Sequence, residues 1–191
     1  MGYLIAGLVI FLGVHSVRIF ADSWRTAQIA KWGENTWKAG YTIKSAVGLG
    51  LIIWGYSMAR LEPGLLWVPP VATRHIAATL MLIAMILLVA AYVPKNSIRA
   101  RLHHPMLLSV KTWAFAHLLA NGNVADVVLF GSFLVWAVLC FINAKKRDRA
   151  EGKVYPQGQT MPTIMTVVLG VVVYGAFVMG LHRLLIGVPV F

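Results

Sequence analysis

Six apolar stretches, most of them long enough to cross the hydrocarbon of a bilayer, constrain this chain more than any other feature. Cut at its charges, prolines and glycines, the sequence leaves runs at roughly 2–20, 39–59, 75–93, 105–119, 124–143 and 162–181. About 20 residues at 1.5 Å rise cross that layer as a helix. The fourth run, 15 residues long, is short for this and is expected to tilt or be screened by its neighbours. No strand-like alternation runs through these segments, which excludes a β-barrel. The fold class that follows is all-α: a polytopic membrane bundle of about six transmembrane helices.

Composition agrees. Hydrophobic residues make up 59% of the chain and charged ones 12%, with a mean hydropathy of +0.76. No compact soluble domain hides that much apolar side chain. The net charge of +11 would point to nucleic acid in a soluble protein, but here the cations are scattered between apolar runs. Lys and Arg are favoured in cytoplasmic loops, so topology accounts for them and no nucleic-acid partner is expected. The single cysteine, Cys140, allows no internal disulfide and no thiolate metal cluster.

Counting Lys and Arg in alternate connections gives the orientation. Arg18, Arg25, Lys31 and Lys38 follow the first run; Lys95, Arg99 and Arg101 the third; Lys145, Lys146, Arg147, Arg149 and Lys153 the fifth. Against these twelve the other side has Arg60, Arg74 and Arg183, with Lys44 and Lys111 just inside the second and fourth runs. Both termini are therefore expected on the periplasmic side. Met1-Gly2-Tyr3 offers no basic n-region, so the first run is not read as a cleaved signal. Trp24 and Trp32 among basic residues read as an interfacial helix that stops at Gly33. Gly48, Gly50 and Gly55, and Gly170, Gly175 and Gly180, are expected to permit close helix packing rather than to break helices. No appended soluble domain is expected, and a single transmembrane domain over residues 1–191 is expected to act inside or at the face of the bilayer.

Chemistry has few residues to work with. Asp22, Glu34, Asp148 and Glu151 belong to basic loops, Glu62 to an outer loop, and Asp126 to the start of the fifth run. Paired intramembrane carboxylates are missing, and so are hard-cation sites, the P-loop and the dinucleotide glycine pattern. Histidine remains. His15, His75, His117 and His182 lie within or at the ends of the runs, and His103-His104 opens the fourth. An imidazole in hydrocarbon is costly unless bonded or ligated, which makes it a site candidate.

His75 and His182 adjoin Arg74 and Arg183 at outer ends, where they can reach headgroups; His15 and His117 lie deeper. A helical wheel puts Trp113, Ala114 and Asn121 on the His117 face, a setting suited to a planar cofactor. Arg18 sits one turn from His15. Imidazoles with few carboxylates and no thiolates favour haem over zinc or calcium. Depth leaves the pair open. His15 falls about 6 Å to one side of the midplane and His117 about 7 Å to the other, so depth alone pairs His117 with His75.

Several segments resemble the NnrU family. They are Gly13 through Arg18, Thr73-Arg74-His75, and His104-Pro105 through Trp113-Ala114-Phe115-Ala116-His117 to Gly122-Asn123. The resemblance covers almost the whole chain. It implies a multi-pass protein of the bacterial inner membrane, associated with nitrite and nitric oxide respiration, with denitrification enzymes as partners. The segment around His117 is also similar to plant zeta-carotene isomerase, a membrane haem enzyme of the wider family. That similarity implies a haem b ligated by His15 and His117. The isomerase has a cysteine where Ala114 stands, a departure that bears on its redox-dependent ligand switch. The cofactor-binding candidates are thus His15, His117, Arg18, Trp113, Ala114, Asn121 and His104, with His75 as alternative ligand and His15 and His117 on the metal.

The function that the resemblance implies is redox, nitric oxide-related or isomerase-like chemistry on a small or lipophilic ligand. Two other classes compete with it. His103-His104-Pro105-Met106-Leu107 is similar to the Arg-His-Pro-x-Tyr pattern of membrane methyltransferases, but lacks its tyrosine and the later tandem glutamate. A non-enzymatic accessory protein of denitrification enzymes is the other.

Overall fold

A computed structural model describes residues 1–62 and 64–190. Every element among them is helical: α1 (Gly2–Phe20), α2 (Asp22–Trp32), α3 (Glu34–Ala59), α4 (Val71–Tyr92), α5 (Ser97–Leu102), α6 (Pro105–Ala120), α7 (Val124–Ala150), α8 (Thr160–Ala176) and α9 (His182–Ile186). A single π-turn, Phe177–Leu181, joins the last two. Four stretches are long and apolar enough to cross a membrane: α1, α4, α7 and the run Thr160–Ile186. The second and fourth apolar runs of the sequence are helical as well, as α3 and the 16-residue α6. Many large apolar side chains face outward, Val9 at 68% and Val172 at 61% exposure among them. Such a surface suits lipid rather than water.

The helices form two compact units. The first contains α1, α2, α3 and α7 as far as Cys140. Its main seam joins α1 to α3 through glycine. A Cβ on Gly7 would stand 2.6 Å from the Ile52 nitrogen, and one on Gly55 only 2.3 Å from the Leu4 nitrogen. Backbones at this distance pack by dispersion where lipid offers no hydrophobic drive. Gly48 completes the seam against Phe11, and Leu4 is fully buried in it. Gly50 meets nothing within 4 Å, because two residues along a helix turn the face away. α2 leaves Trp24 and Trp32 about half exposed and ends at Gly33, whose φ of 82° suits glycine, as the sequence indicated. At the start of α7, buried Asp126 accepts from the Tyr56 hydroxyl (2.6 Å) and the Asn123 amide (3.1 Å).

The second unit contains α4, α5, α6, the end of α7 from Phe141, α8 and α9. α4 is its centre, packed on α6 and α8. The Ser109 hydroxyl donates to the Ala84 carbonyl at 2.7 Å, and Gly170 of α8 lies against Ile86 of α4. Gly175 and Gly180 make no such contact. Gly180 instead leaves helical geometry inside the π-turn, so here a glycine expected to preserve the helix interrupts it. Buried Asn96 caps α5: its side chain accepts from the Arg99 amide and donates to the Ala90 and Val93 carbonyls.

Candidate functional site

His15 stands in the last turns of α1 with its ring stacked on Phe11 at 4.2 Å, a residue one turn earlier on the same face. Tyr41 of α3 lies 5.1 Å away and Trp136 of α7 meets it edge-on at 6.0 Å. Nδ1 is 2.6 Å from the Phe11 carbonyl oxygen. A carbonyl can only accept, so Nδ1 carries the proton and donates it, and in the neutral ring Nε2 holds the lone pair. Metal-bound histidines are held in this way, one nitrogen fixed by a backbone carbonyl and the other presented to the ion. Trp136 Nε1 is buried and has no hydrogen-bond partner among the described residues. An indole N–H in that condition invites an acceptor.

A cavity of about 310 Å³ opens beside His15, lined by Arg18, Arg25, Trp37, Lys38 and Tyr41 with Val14, Val17 and Ile29. That volume is at the lower end of the range for small-molecule sites. Its rim is basic on balance. Glu34 is paired with Lys38 at 2.8 Å and Arg25 with Asp22 at 3.6 Å, while exposed Arg18 has no ion pair among the described residues. The cavity thus presents an imidazole, the Trp37 and Tyr41 rings and a cationic rim, groups that suit an anionic ligand.

His117 lies in the last turn of α6 and repeats the His15 arrangement: Nδ1 donates to the Trp113 carbonyl at 2.9 Å, and the Trp113 ring lies 5.4 Å away. Ala114 is fully buried on that helix. Asn121 departs from the helical wheel. α6 ends at Ala120, so Asn121 lies just beyond the helix. His75 is exposed in the second turn of α4, which packs on α6. His182 donates from Nδ1 to the Val188 carbonyl at 2.7 Å.

His104 serves elsewhere. Its Nε2 lies 2.7 Å from Asp148 Oδ2, and the Tyr155 hydroxyl donates to the same oxygen at 2.6 Å. Lys153 approaches Oδ1 at 3.7 Å, and the His103 ring stacks flat on Tyr155 at 4.0 Å. Burial holds the His104 imidazole below its ordinary range although Asp148 opposes the effect, so the neutral ring donates to the carboxylate. Burial, and then the same carboxylate, push the Tyr155 phenol up to about 12. Asp148 and Tyr155 carried no signal in the sequence, since their partner lies 44 residues upstream of Asp148. Phe11 was missed as well, although its place one turn before His15 is a signal that the sequence carries. Trp136 and Tyr41, supplied by other helices, left no such signal.

A family model described as NnrU protein matches residues 3–190, nearly the whole chain. No curated protein and no solved structure matches. The chain belongs to the NnrU family.

Proposed function

We propose that the protein is a b-type haem-binding protein of the bacterial inner membrane, with six spans and both termini periplasmic. The observation that carries the haem reading is the 2.6 Å contact of His15 Nδ1 with the Phe11 carbonyl, which leaves Nε2 for a metal. Arg18, at the rim of the His15 cavity, is the proposed partner of a haem carboxylate. In the second unit His117, tied to Trp113 in the same way, is a separate candidate for an iron ligand, with His75 as the alternative. Bound haem supplies redox or isomerase-like chemistry on a small or lipophilic ligand. The chain's own contribution is to supply the His15 imidazole and to pack aromatic rings against it. Denitrification enzymes are the proposed protein partners. Absorption spectra of detergent-purified protein, oxidised and reduced, test the proposal. A Soret band with sharpened bands on reduction supports it, and protein that stays colourless after incubation with hemin overturns it.

A further inference from the structure

The ring of Phe141, in the second unit, gathers two cations. Lys111 Nζ lies 4.9 Å from its centroid and Lys145 Nζ 5.8 Å. The two ammoniums are therefore within 10.7 Å of each other, the sum of those distances. Lys145 follows Phe141 by one turn of α7, whereas Lys111 comes from α6, six residues after its first residue Pro105. Six residues amount to about 9 Å along the helix axis, a depth at which a lysine stem runs back towards the headgroup layer.

Among the described residues no ion pair involves Lys111 or Lys145. The acid nearest in sequence to Lys145, Asp148, is already engaged by the His104 N–H, the Tyr155 hydroxyl and Lys153. Phe141 offers both lysines its electron-rich faces, an attraction weaker than a paired anion would give. Two half-buried like charges at the edge of an apolar bundle repel each other, and an intramembrane lysine calls for a partner. The missing partner is an anion, and compact ammonium point charges suit a phosphate oxygen.

We propose that Lys111 and Lys145, gathered on Phe141, bind a phosphate-bearing anion at this end of the second unit. A phospholipid headgroup and free phosphate share that chemistry, and the test separates them. Wild-type protein is reconstituted in phosphatidylcholine bilayers containing phosphatidylglycerol, extracted, and weighed by native mass spectrometry for retained lipid. Wild type should keep phosphatidylglycerol in preference to phosphatidylcholine. Lys111→Gln and Lys145→Gln should each weaken retention about fivefold, and the double variant about thirtyfold. Lys111→Arg, which keeps the charge, should retain the lipid and so exclude misfolding as the cause. Lys146→Gln, exposed on the same helix, should change nothing. Inorganic phosphate alone forms the second arm: binding lost with the same two lysines identifies free phosphate as a ligand, and lipid retention without phosphate binding identifies the headgroup. The proposal fails if the double variant keeps phosphatidylglycerol and phosphate as wild type does, or if Lys146→Gln loses as much.

Discussion

His104 and Asp148, 44 residues apart, meet through a 2.7 Å hydrogen bond that ties the turn before α6 to the end of α7. Burial lowers the affinity of the His104 ring for a proton in the folded chain. The unfolded chain, with a histidine pKa near 6.5, then binds more protons in the window below that value. Stability contributed by neutral His104 is complete above about pH 6.5 and is lost as pH falls towards the depressed folded value. Thermal unfolding in detergent should therefore show a lower midpoint at about pH 5 than at about pH 8. His104→Asn should be less stable at the higher pH and flatter between the two. A wild-type slope that survives the substitution assigns the effect to other groups.

His15→Ala should abolish or shift haem absorption while the protein still inserts, because insertion depends on apolar length and loop charge. His117→Ala and His75→Ala complete the comparison. The ligands are those whose removal changes the Soret band, and added imidazole should restore it at a true ligand position.

Trp136→Phe keeps the aromatic wall and removes only the buried N–H. If that donor meets a ligand acceptor, the variant should bind hemin about threefold to tenfold more weakly, the worth of one hydrogen bond at about 1 kcal/mol. Without hemin the variant should be as stable as wild type or slightly more so, since an orphaned buried donor disappears. Equal hemin affinity would return Trp136 to simple packing.

Gly55→Ala places a methyl against the Leu4 backbone and should cost about 1–3 kcal/mol by forcing α1 and α3 apart. Gly50→Ala, with open space around its Cβ, should be neutral or mildly stabilising. Denaturant titration in mixed micelles compares the pair.

Tyr56→Phe removes the 2.6 Å donor to buried Asp126. A hydrogen bond to a carboxylate in such a place is worth about 1.5–3 kcal/mol. Loss of that order in the same titration, with no change in haem absorption, would mark the pair as structural.

The positions of the helices were legible because hydrophobic length is a property of contiguous residues. Their ends were less so. α3 starts at Glu34 and α7 continues to Ala150, well past the apolar runs at 39 and 143. Charge ends a membrane run without ending a helix: Glu34 pairs with Lys38, and Arg147 donates to Asn143, each one turn apart. α5 was not anticipated, since six residues capped by a buried Asn96 leave no periodic signal. His15, and Trp113 with His117, could be read from spacing; Phe11, one turn before His15, was not singled out. The Trp136 and Tyr41 walls, and the Asp148 cluster, depend on which helices meet, and no local pattern records that.

α6 has a further consequence for where the protein can work. Sixteen residues rise about 24 Å, some 6 Å less than the hydrocarbon of an ordinary bilayer. If α6 spans, the surrounding lipid has to thin, at a cost of fractions of a kcal/mol per ångström of mismatch. Acyl-chain length thus becomes a variable of this protein's stability. Short-chain bilayers should relieve the mismatch and long-chain, rigid ones should increase it, which would sort the protein towards the thinner patches of its membrane.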